Sequence, residues 1–337
     1  MVIPHYNYGA YLPAAVDSAR AQSGLEVDVV IVDDKSTDGS IEVAEGLAQR
    51  HENVELLRHE TNRRHIATYN DGLASARGEY VALVSADDLL ARDALTRAVA
   101  LMEAHREVGL VYGAIRSFTT EPTRVEPRLT WWQTWSGAQW LASVAARGRN
   151  LITSPEVVMR RRVLEATGGY DPRFPHAADL LMWLRAAECG DVGYVGGAVQ
   201  AHYRVHATNM HTVNFGGALD DMTQVRDVFD EFFARESDPG PPGPGDLRLR
   251  ARHSLAREAV LRGVLLAVDT GSVEVLQTYR DFAIQTSPDI VDARCWAWAD
   301  LTNPGRGKAG GVSRRAALAA ERVRWALRSR RQDLAGL

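Results

Sequence analysis

Two apolar runs that each end in a pair of aspartates constrain the fold of this chain more than any other feature. The runs are VDVVIVDD at residues 27–34 and YVALVSADD at residues 80–88. Continuous apolar runs are typical of strands that are covered on both faces, as in a mostly parallel sheet. Two carboxylates about 4 Å apart repel each other by on the order of 4 kcal/mol at an effective dielectric of about 20. We therefore expect a positive group close to Asp87 and Asp88.

Segments with helical periodicity alternate with these runs, and a further apolar run at 108–115 predicts another strand. The helical segments are residues 11–22, 40–50 and 93–105. The order strand, helix, strand, helix predicts an α/β fold with a Rossmann-like, mostly parallel sheet flanked by helices. Because ligands bind at the carboxyl ends of parallel strands, one ligand is expected to reach both Asp33–Asp34 and Asp87–Asp88.

A tryptophan-rich stretch, LTWWQTWSGAQW, occupies residues 129–140. Ser136 and Gln139 have the spacing of a capping box, which predicts that a helix starts there. The tryptophans have two interpretations: they belong to the core, or they form a wall on which sugars stack. Aromatic side chains at helical spacing are more often part of a core.

The later part of the chain is predicted to be mainly helical. A helix pattern starts at about Asp179, and a strand pattern follows that breaks at Gly196–Gly197. The segment SDPGPPGPGD at 237–246 is too rich in proline and glycine for regular structure and is predicted to be a linker. Residues 247–337 are predicted to be helical throughout. One apolar stripe in this region comprises Leu249, Ala256, Val260, Val264 and Ala267.

The last predicted helix carries an excess of basic residues. They are Arg314, Arg315, Arg322, Arg324, Arg328, Arg330 and Arg331. Two explanations remain open: peripheral contact with a membrane surface, or the solvated face of a helix that docks to a bundle or to a second subunit. The second explanation predicts a homodimer.

The composition argues against several classes of protein. Because the formal net charge is −4, no nucleic-acid partner is expected. The apolar stretches are shorter than the roughly 18 residues that span a bilayer, and no signal sequence is recognisable, so a cytoplasmic location is expected. The cysteines, Cys189 and Cys295, are too few for a disulfide framework or a zinc site and are predicted to be core thiols. Only Met1 and Val2 precede the first motif, which leaves the true start of the chain open.

Two carboxylates at the end of a strand suit a hard divalent cation. Mg²⁺ and Mn²⁺ take one or two protein carboxylates and fill their other positions with water and substrate phosphate oxygens. An ion at Asp87 and Asp88 would offset their repulsion and hold a diphosphate leaving group. A strand-end acid pair is also common in helix caps and turns, so the metal interpretation depends on the rest of the chain.

Several motifs occur in one order along the chain. They are VIPHYNYGAYLPAAVDSARAQ, VDVVIVDDKSTDGS, TNRRHIATYNDGLASARGEYVALVSADD, GGYDPRFPHAADLLMWLR and YRVH. Together they resemble the family 2 glycosyltransferases of GT-A fold, over residues 1 to about 210. The resemblance implies a nucleotide-sugar-binding half at 1–115 and an acceptor-side half at 116–236 that completes the GT-A domain. It does not extend to the helical region at 247–337.

The resemblance also implies roles for individual residues at the nucleotide and metal sites. The nucleotide is implied to contact Pro4, Tyr6, Asn7, Asp33, Asp34 and Ser36. The ADD element matches the acidic metal motif of the family, with a Mg²⁺ or Mn²⁺ ion on Asp88 or Asp87. Ser85 stands where many members have a further aspartate, so the choice between the two stays open, with Asp88 favoured.

Further residues match positions around the donor. His206 is implied to approach the metal or the diphosphate, and Arg204, two residues earlier in a strand, is expected on the same side, where it can pair with phosphate. Arg64 and His65 lie in the loop that approaches the donor in relatives.

Asp179 matches the catalytic base of the family. An aspartate at a helix N-terminus stays ionised near neutral pH because the helix dipole favours the charged form. The same position also fits an ordinary N-cap residue, and that alternative stays open. Ala178 stands where many relatives have a glutamate, so the assignment depends on Asp179 alone.

The implied reaction is an inverting transfer of a sugar from a UDP- or dTDP-sugar to an acceptor hydroxyl. The acceptor is a glycan, a lipid-linked saccharide or a small-molecule aglycone. One alternative is a catalytically degenerate relative that binds nucleotide sugar without turnover, suggested by Ser85 and Ala178. A nucleotidyltransferase of similar fold is disfavoured, because PHYNYGAYLP lacks the glycine-rich phosphate loop that such enzymes need after the first strand.

Overall fold

The structure is a computed structural model that describes residues 1–122, 130–207, 209, 218–234, 244–302 and 336–337. Contacts between residues divide the chain into two units. The first unit contains the described residues within 1–140, 152–214 and 333–336, and the second contains those within 141–151, 215–332 and 337. All the residues predicted to form the site belong to the first unit.

A parallel three-stranded sheet carries the first acid pair. Its strands, in spatial order, are β1 (Val2–His5), β2 (Val29–Asp33) and β3 (Val54–Arg58). The helices that follow them are α1 (Leu12–Arg20), α2 (Ser40–Arg50) and α3 (Arg64–Ser75). Ile3 and Ile31 are fully buried in one cluster with the apolar faces of α1 and α2. The predicted alternation of strand and helix is confirmed, and β1 and β2 end side by side at His5 and Asp33.

A second sheet contains both parallel and antiparallel strands. Two of its strands come just before and just after the other acid pair in the sequence. Its strands are β4 (Tyr80–Ala82), β5 (Leu89–Leu90), β6 (Val108–Phe118), β7 (Trp131–Trp135), β8 (Val158–Arg160) and β9 (Asp191–Arg204). The spatial order is β4-β8-β6-β9-β5, and β7 also pairs with β9. Within this sheet β6 and β9 run parallel, and the other pairs are antiparallel. The accompanying helices are α4 (Ala94–Ala104), α5 (Gly137–Arg147), α6 (Arg161–Thr167) and α7 (Ala178–Cys189). The predicted α/β class is confirmed.

The run at 80–88 is a strand only as far as Ala82. Beyond it the chain turns, and the N–H of Asp88 donates to the carbonyl of Ser85 at 3.0 Å. Because of this turn, Asp87 and Asp88 lie in the connection between β4 and β5 and not within a strand. Both side chains are buried in this connection and contact residues that follow β9 or end it, His206 and Arg204.

Two local sequence signals have different outcomes. The capping box is confirmed: the N–H of Ser136 donates to Oε1 of Gln139 at 3.0 Å, and the N–H of Gln139 donates to Oγ of Ser136 at 3.3 Å. The predicted break at Gly196–Gly197 appears in the pairing with β6, which passes from Val195 directly to Val199, although β9 itself continues to Arg204. Gly197 has φ +78°, a conformation that glycine adopts without strain, so the strand absorbs an irregularity there and does not end.

The tryptophan-rich stretch divides between core and surface. Trp140 is fully buried, and its Nε1 donates to the hydroxyl of Tyr112 at 3.3 Å. Trp132, on β7, is 43% exposed. Strand β7 pairs with residues 192–196 at the start of β9, whereas the acid pair contacts Arg204 at its end. The tryptophans therefore lie at the opposite end of β9 from the acids.

The second unit is helical. Its helices are α8 (Ala218–Ala234), α9 (Pro244–Thr270), α10 (Val273–Thr286) and α11 (Arg294–Thr302), with a 3₁₀ turn at Pro288–Asp292. Four residues of the predicted stripe are buried in one apolar cluster: Ala256, Val260, Val264 and Ala267. The prediction for Leu249 is wrong, because the buried face of α9 begins at Ala251 and Leu249 is 67% exposed.

Other predictions for the second half are corrected or lie outside the described residues. Helix α9 begins at Pro244, within the predicted linker, and the basic residues of the last predicted helix are outside the described ranges. Cys189 is exposed at the end of α7 and Cys295 is half-buried, so the prediction of two core thiols is wrong. No helix in the described ranges is both long and apolar enough to cross a bilayer.

Candidate active site

The loops that follow β1 and β2 interlock at the carboxyl edge of the first sheet. Asn7 adopts φ +58°. Its N–H donates to Oγ of Ser36 at 3.0 Å, and its side chain accepts the N–H of Thr37 at 2.8 Å. Tyr6 is 43% exposed, so its ring is accessible to a ligand. The structure thus brings together the six residues predicted to hold a nucleotide: Pro4, Tyr6, Asn7, Asp33, Asp34 and Ser36.

His5 is a buried residue of this edge that the sequence analysis missed. Its Nε2 lies 3.8 Å from Oδ1 of Asp33. The Oδ2 atom of Asp33 accepts the N–H of Ser36 at 3.2 Å. Burial lowers the pKa of His5 by more than the charge of Asp33 raises it, so the imidazole is neutral. Among the described residues neither ring nitrogen has a hydrogen-bond partner. A histidine inside the otherwise apolar strand VIPH is the signal that could have revealed it.

Asp34 ties the end of β2 to the start of α3. Its Oδ1 accepts from Nδ1 of His59 at 2.8 Å and from the N–H of Arg63 at 2.7 Å. Its Oδ2 accepts the N–H of Arg64 at 2.8 Å. Carboxylate oxygens have further lone pairs, so Asp34 can still accept from a nucleotide base. Arg64, whose φ is +66°, is exposed at the same edge.

The second acid pair is buried. Oδ2 of Asp87 lies 3.0 Å from Nε2 of His206, and Oδ1 of Asp88 accepts the N–H of Arg204 at 2.8 Å. Burial and then the charge of Asp87 raise the pKa of Asp88 to about 8. The repulsion implied by the sequence is therefore present in the fold, and a cation is the group that would relieve it.

The positive group expected beside the acid pair is Arg204. Its guanidinium lies 4.6 Å from the ring centroid of Tyr11 and 4.4 Å from that of Phe118. Its Nε donates to the carbonyl of Asp87 at 2.8 Å, and Nη1 lies 3.5 Å from the carbonyl of Thr120. A planar guanidinium suits stacking between two rings. Arg204 is thus fixed by protein groups, and its contact with phosphate stays a prediction.

Within the described ranges no three His, Cys, Asp or Glu side chains are arranged to hold a metal ion. Asp87 and Asp88 nevertheless offer two carboxylates in one turn, and the imidazole of His206 contacts Asp87. Hard divalent cations take one or two protein carboxylates and complete their shell with water and phosphate oxygens. The buried pair of like charges fits such an ion when a diphosphate supplies the remaining ligands.

Asp179 lies in the first turn of α7. The N-cap residue of this helix is Ala177, so the alternative that Asp179 is the N-cap is wrong. Its Oδ2 accepts from the hydroxyl of Ser154 at 3.3 Å, and its Oδ1 accepts the N–H of Leu180 at 2.7 Å. The residue is half-buried, which leaves the oriented carboxylate accessible.

The charges of three acids act on the hydroxyl of Tyr69. Part of the ring is exposed, but the hydroxyl end is buried and hydrogen-bonded to Ser85. Burial raises the pKa of Tyr69, and the charges of Asp87, Asp88 and Asp179 each raise it further. One phenol thus lies within electrostatic range of all three carboxylates.

Glu156 is a second residue that the sequence analysis missed. It is buried, and its Oε2 has no hydrogen-bond partner among the described residues. Burial raises its pKa well above the ordinary value, and the charges of Asp88 and Asp179 add to this. Burial and the neighbouring charges therefore both favour the neutral carboxyl of Glu156. A lone acid between apolar residues in PEVVM is the signal that could have identified it.

A cavity of about 280 Å³ lies at the other edge of the strands, with Met1, Asp28 and Tyr80 in its lining. These residues are at the amino ends of β1, β2 and β4. In a sheet of this type ligands bind at the carboxyl ends. The chemistry of the acids, and not the size of a cavity, therefore locates the candidate site.

Comparisons with known proteins show similarity to glycosyltransferases. Residues 1–166 match the model of a family described as glycosyl transferase family 2. An uncharacterised glycosyltransferase of Nostoc sp. is 29% identical over 221 residues, which cover 63% of this chain and 66% of that protein. EpsE of Bacillus subtilis, also named as a glycosyltransferase, is 29% identical over 196 residues, which cover 56% of this chain and 66% of that protein. The matches thus span slightly less than two thirds of each relative.

Two solved structures have a similar fold. S. aureus TarS in complex with UDP-GlcNAc has a TM-score of 0.56 at 16% identity, and the alignment covers 85% of this chain and 91% of that chain. The mannosyltransferase PcManGT from Pyrobaculum calidifontis, in complex with GDP-Man and Mn²⁺, has a TM-score of 0.55 at 21% identity, with coverage of 96% and 85%. At these identities the likeness shows the fold alone.

Proposed function

This chain belongs, through its residues 1–166, to glycosyl transferase family 2, and from that premise we propose that it transfers a sugar from a nucleoside-diphosphate donor to an acceptor hydroxyl with inversion. The proposal is supported by the hydrogen-bonded carboxylate of Asp179 and the buried pair of Asp87 and Asp88, whose charges all act on Tyr69. The buried acid pair suits a cation and a diphosphate. The accessible carboxylate can act as a base.

The donor nucleotide, in this proposal, lies against the interlocked loops after β1 and β2. Tyr6 offers an accessible ring for the base, and Asp34 offers lone pairs to a base N–H. The exposed guanidinium of Arg64 lies at the same edge and can pair with phosphate. The ring N–H of uracil or thymine matches the acceptor Asp34, so this contact is compatible with the proposed UDP- or dTDP-sugar; guanine carries a ring N–H as well, so a GDP-sugar also satisfies it.

Asp179 is the proposed base. It takes the proton of the acceptor hydroxyl while the hydroxyl oxygen forms a bond to the anomeric carbon. The bond from that carbon to the diphosphate oxygen breaks in the same step, and the nucleoside diphosphate leaves. One displacement inverts the configuration. Ser154 and the N–H of Leu180 orient the carboxylate before the acceptor arrives.

A divalent cation fits the leaving-group end of the site. Asp87 and Asp88, with the imidazole of His206, would hold Mg²⁺ or Mn²⁺, which stabilises the charge that develops on a departing diphosphate. Arg204 adds a fixed positive charge beside the pair. The protein groups thus surround the place where negative charge accumulates.

Release of nucleoside diphosphate tests the proposal. Purified protein with Mn²⁺ is incubated with UDP-GlcNAc, a dTDP-hexose or GDP-mannose, with and without a panel of sugar, lipid-linked and small-molecule acceptors. Asp179→Asn is expected to bind UDP as well as the wild type but to release nucleoside diphosphate at least about 100-fold more slowly. Glu188→Gln, an exposed change on the same helix, is the matched control. If the wild type binds UDP and releases nucleoside diphosphate from none of the donors, the chain is a nucleotide-sugar-binding protein of the same fold.

A further inference from the structure

Asn70, on α3, makes two hydrogen bonds to the backbone of Tyr170, which lies in the segment before α7. Its Nδ2 donates to the carbonyl of Tyr170, and its Oδ1 accepts the N–H of the same residue, both at 2.8 Å. A Cβ on Gly169, which has φ +79°, would come within 2.7 Å of that Oδ1. Position 169 therefore requires glycine, and the backbone there is fixed against α3.

His65, one turn earlier on α3, contacts the same segment closer to α7. Its Nε2 lies 3.2 Å from the carbonyl oxygen of Pro175, which can only accept, so the imidazole N–H is on Nε2. From there the N–H of Ala177 donates to the carbonyl of Phe174 at 3.0 Å. The N–H of Leu181 donates to the carbonyl of Ala177 at 3.2 Å. Backbone hydrogen bonds thus connect the residues around Pro175 to the first turn of α7.

The start of α3 is fixed independently. The carboxylate of Asp34 accepts the N–H groups of Arg63 and Arg64. Nε2 of His59 lies 3.1 Å from Oδ2 of Asp71, on the second turn of the helix, while its Nδ1 contacts Asp34. Helix α3 is therefore attached at one end to the strand edge of the proposed nucleotide site and along its side to the segment before α7.

We infer that α3 positions Asp179, and that His65 and Asn70 are the positioning residues. The inference rests on the proposed role of Asp179 as base. Neither side chain is assigned a contact with donor or acceptor; each acts on the backbone four to nine residues before the base. A misplacement of about 1 Å can lower a rate by on the order of 100-fold, so these contacts control turnover and not donor affinity.

Substitutions at position 65 separate positioning from donor binding. His65→Leu removes the N–H that reaches Pro175, and His65→Gln supplies an amide N–H in its place. His65→Leu is expected to lower kcat for UDP release from UDP-GlcNAc at least about tenfold, with the Kd for UDP within about twofold of the wild type. His65→Gln is expected to recover most of the rate. Ser75→Ala, on the same helix, removes a hydroxyl that donates to Asp71 and serves as the control.

Hydrogen exchange provides a readout that does not need turnover. Asn70→Asp keeps an acceptor for the N–H of Tyr170 but places a carboxylate oxygen against its carbonyl. Faster exchange is expected in the amides of residues 170–181 in Asn70→Asp and His65→Leu, and unchanged exchange in Ser75→Ala.

Two results would overturn the inference. One is wild-type kcat and exchange in both variants, and the other is a parallel loss of UDP affinity, which would make His65 a donor-binding residue. If the wild type turns over none of the donors, the proposed function fails, and the exchange data alone still decide whether α3 holds the start of α7.

Discussion

Nε2 of His206 lies 3.0 Å from Oδ2 of Asp87, although 119 residues separate the two in sequence. The rings of Tyr8 and Tyr11 lie beside the imidazole, with centroid distances of 5.5 Å and 5.3 Å. A buried carboxylate needs such a partner because an unpaired one has lost its hydration without replacement. His206 therefore compensates Asp87, and its role as a metal ligand stays a prediction.

His206→Ala is expected to lower the free energy of unfolding by about 1–3 kcal/mol, because it leaves a buried acceptor unpaired. It is also expected to weaken Mn²⁺ binding in the presence of UDP by at least about tenfold. Urea unfolding and calorimetric titration measure the two effects. His253→Ala, at a half-exposed histidine that contacts Asp289, should leave Mn²⁺ binding unchanged. Normal Mn²⁺ affinity in His206→Ala would show that the imidazole only compensates Asp87.

Asp88→Asn is expected to stabilise the protein in the absence of metal. We also expect Mn²⁺ to stabilise the wild type but not this variant. Burial and Asp87 raise the pKa of Asp88 to about 8. Between its ordinary pKa of about 3.9 and that value, the folded state binds more protons than the unfolded state, so the wild type loses stability as pH rises. The melting temperature of the variant in EDTA should therefore exceed that of the wild type more at about pH 8.5 than at about pH 6. An equal difference at both pH values would contradict the explanation.

Arg64→Gly tests the backbone and the guanidinium of Arg64 separately. Arg64 has φ +66°, which glycine adopts without strain, and the N–H that donates to Asp34 is kept. We expect the free energy of unfolding to rise by up to about 1 kcal/mol. If the guanidinium pairs with the donor diphosphate, the Kd for UDP should rise about tenfold in the same variant. Arg92→Gly, at an exposed arginine outside the site, controls for the loss of one positive charge.

His5 should make the protein sensitive to mild acid. Burial lowers its pKa below the ordinary value of about 6.5, so below that pH the unfolded state binds more protons than the folded state. The stability is present above about pH 6.5 and is lost as pH falls. His5→Leu should reduce the difference in unfolding free energy between about pH 7 and pH 5.5 by on the order of 1 kcal/mol, measured with urea. The control His253→Leu should not reduce this difference in unfolding free energy.

The location of the acids could be predicted from sequence because it depends on local patterns. Asp33–Asp34 and Asp87–Asp88 each follow an apolar run, which predicts that parallel strands place both at one edge, and Leu83, just after β4, does form a parallel bridge with Val2 of β1. The resemblance of the motif around Asp179 added the third acid. These predictions needed only the identity of residues and their order along the chain.

The partners of the acids could not be predicted in the same way. The contact from His65 to Pro175 spans 110 residues, and that from Arg204 to the carbonyl of Asp87 spans 117. Such contacts form only when separate elements pack together, and a carbonyl partner leaves no mark in the sequence. The strand β7 could not be predicted for the same reason. Its tryptophans have helical spacing, but the segment forms a strand because it pairs with β9.

The stacking of Arg204 between Tyr11 and Phe118 has a consequence for the catalytic cycle. Its guanidinium is held by rings and by the carbonyl of Asp87, none of which leaves with the product. A positive charge therefore stays beside Asp87 and Asp88 whether or not other groups are bound there. It offsets only part of their repulsion, since the pKa of Asp88 is still raised to about 8, and a proton on Asp88 relieves the remainder near neutral pH.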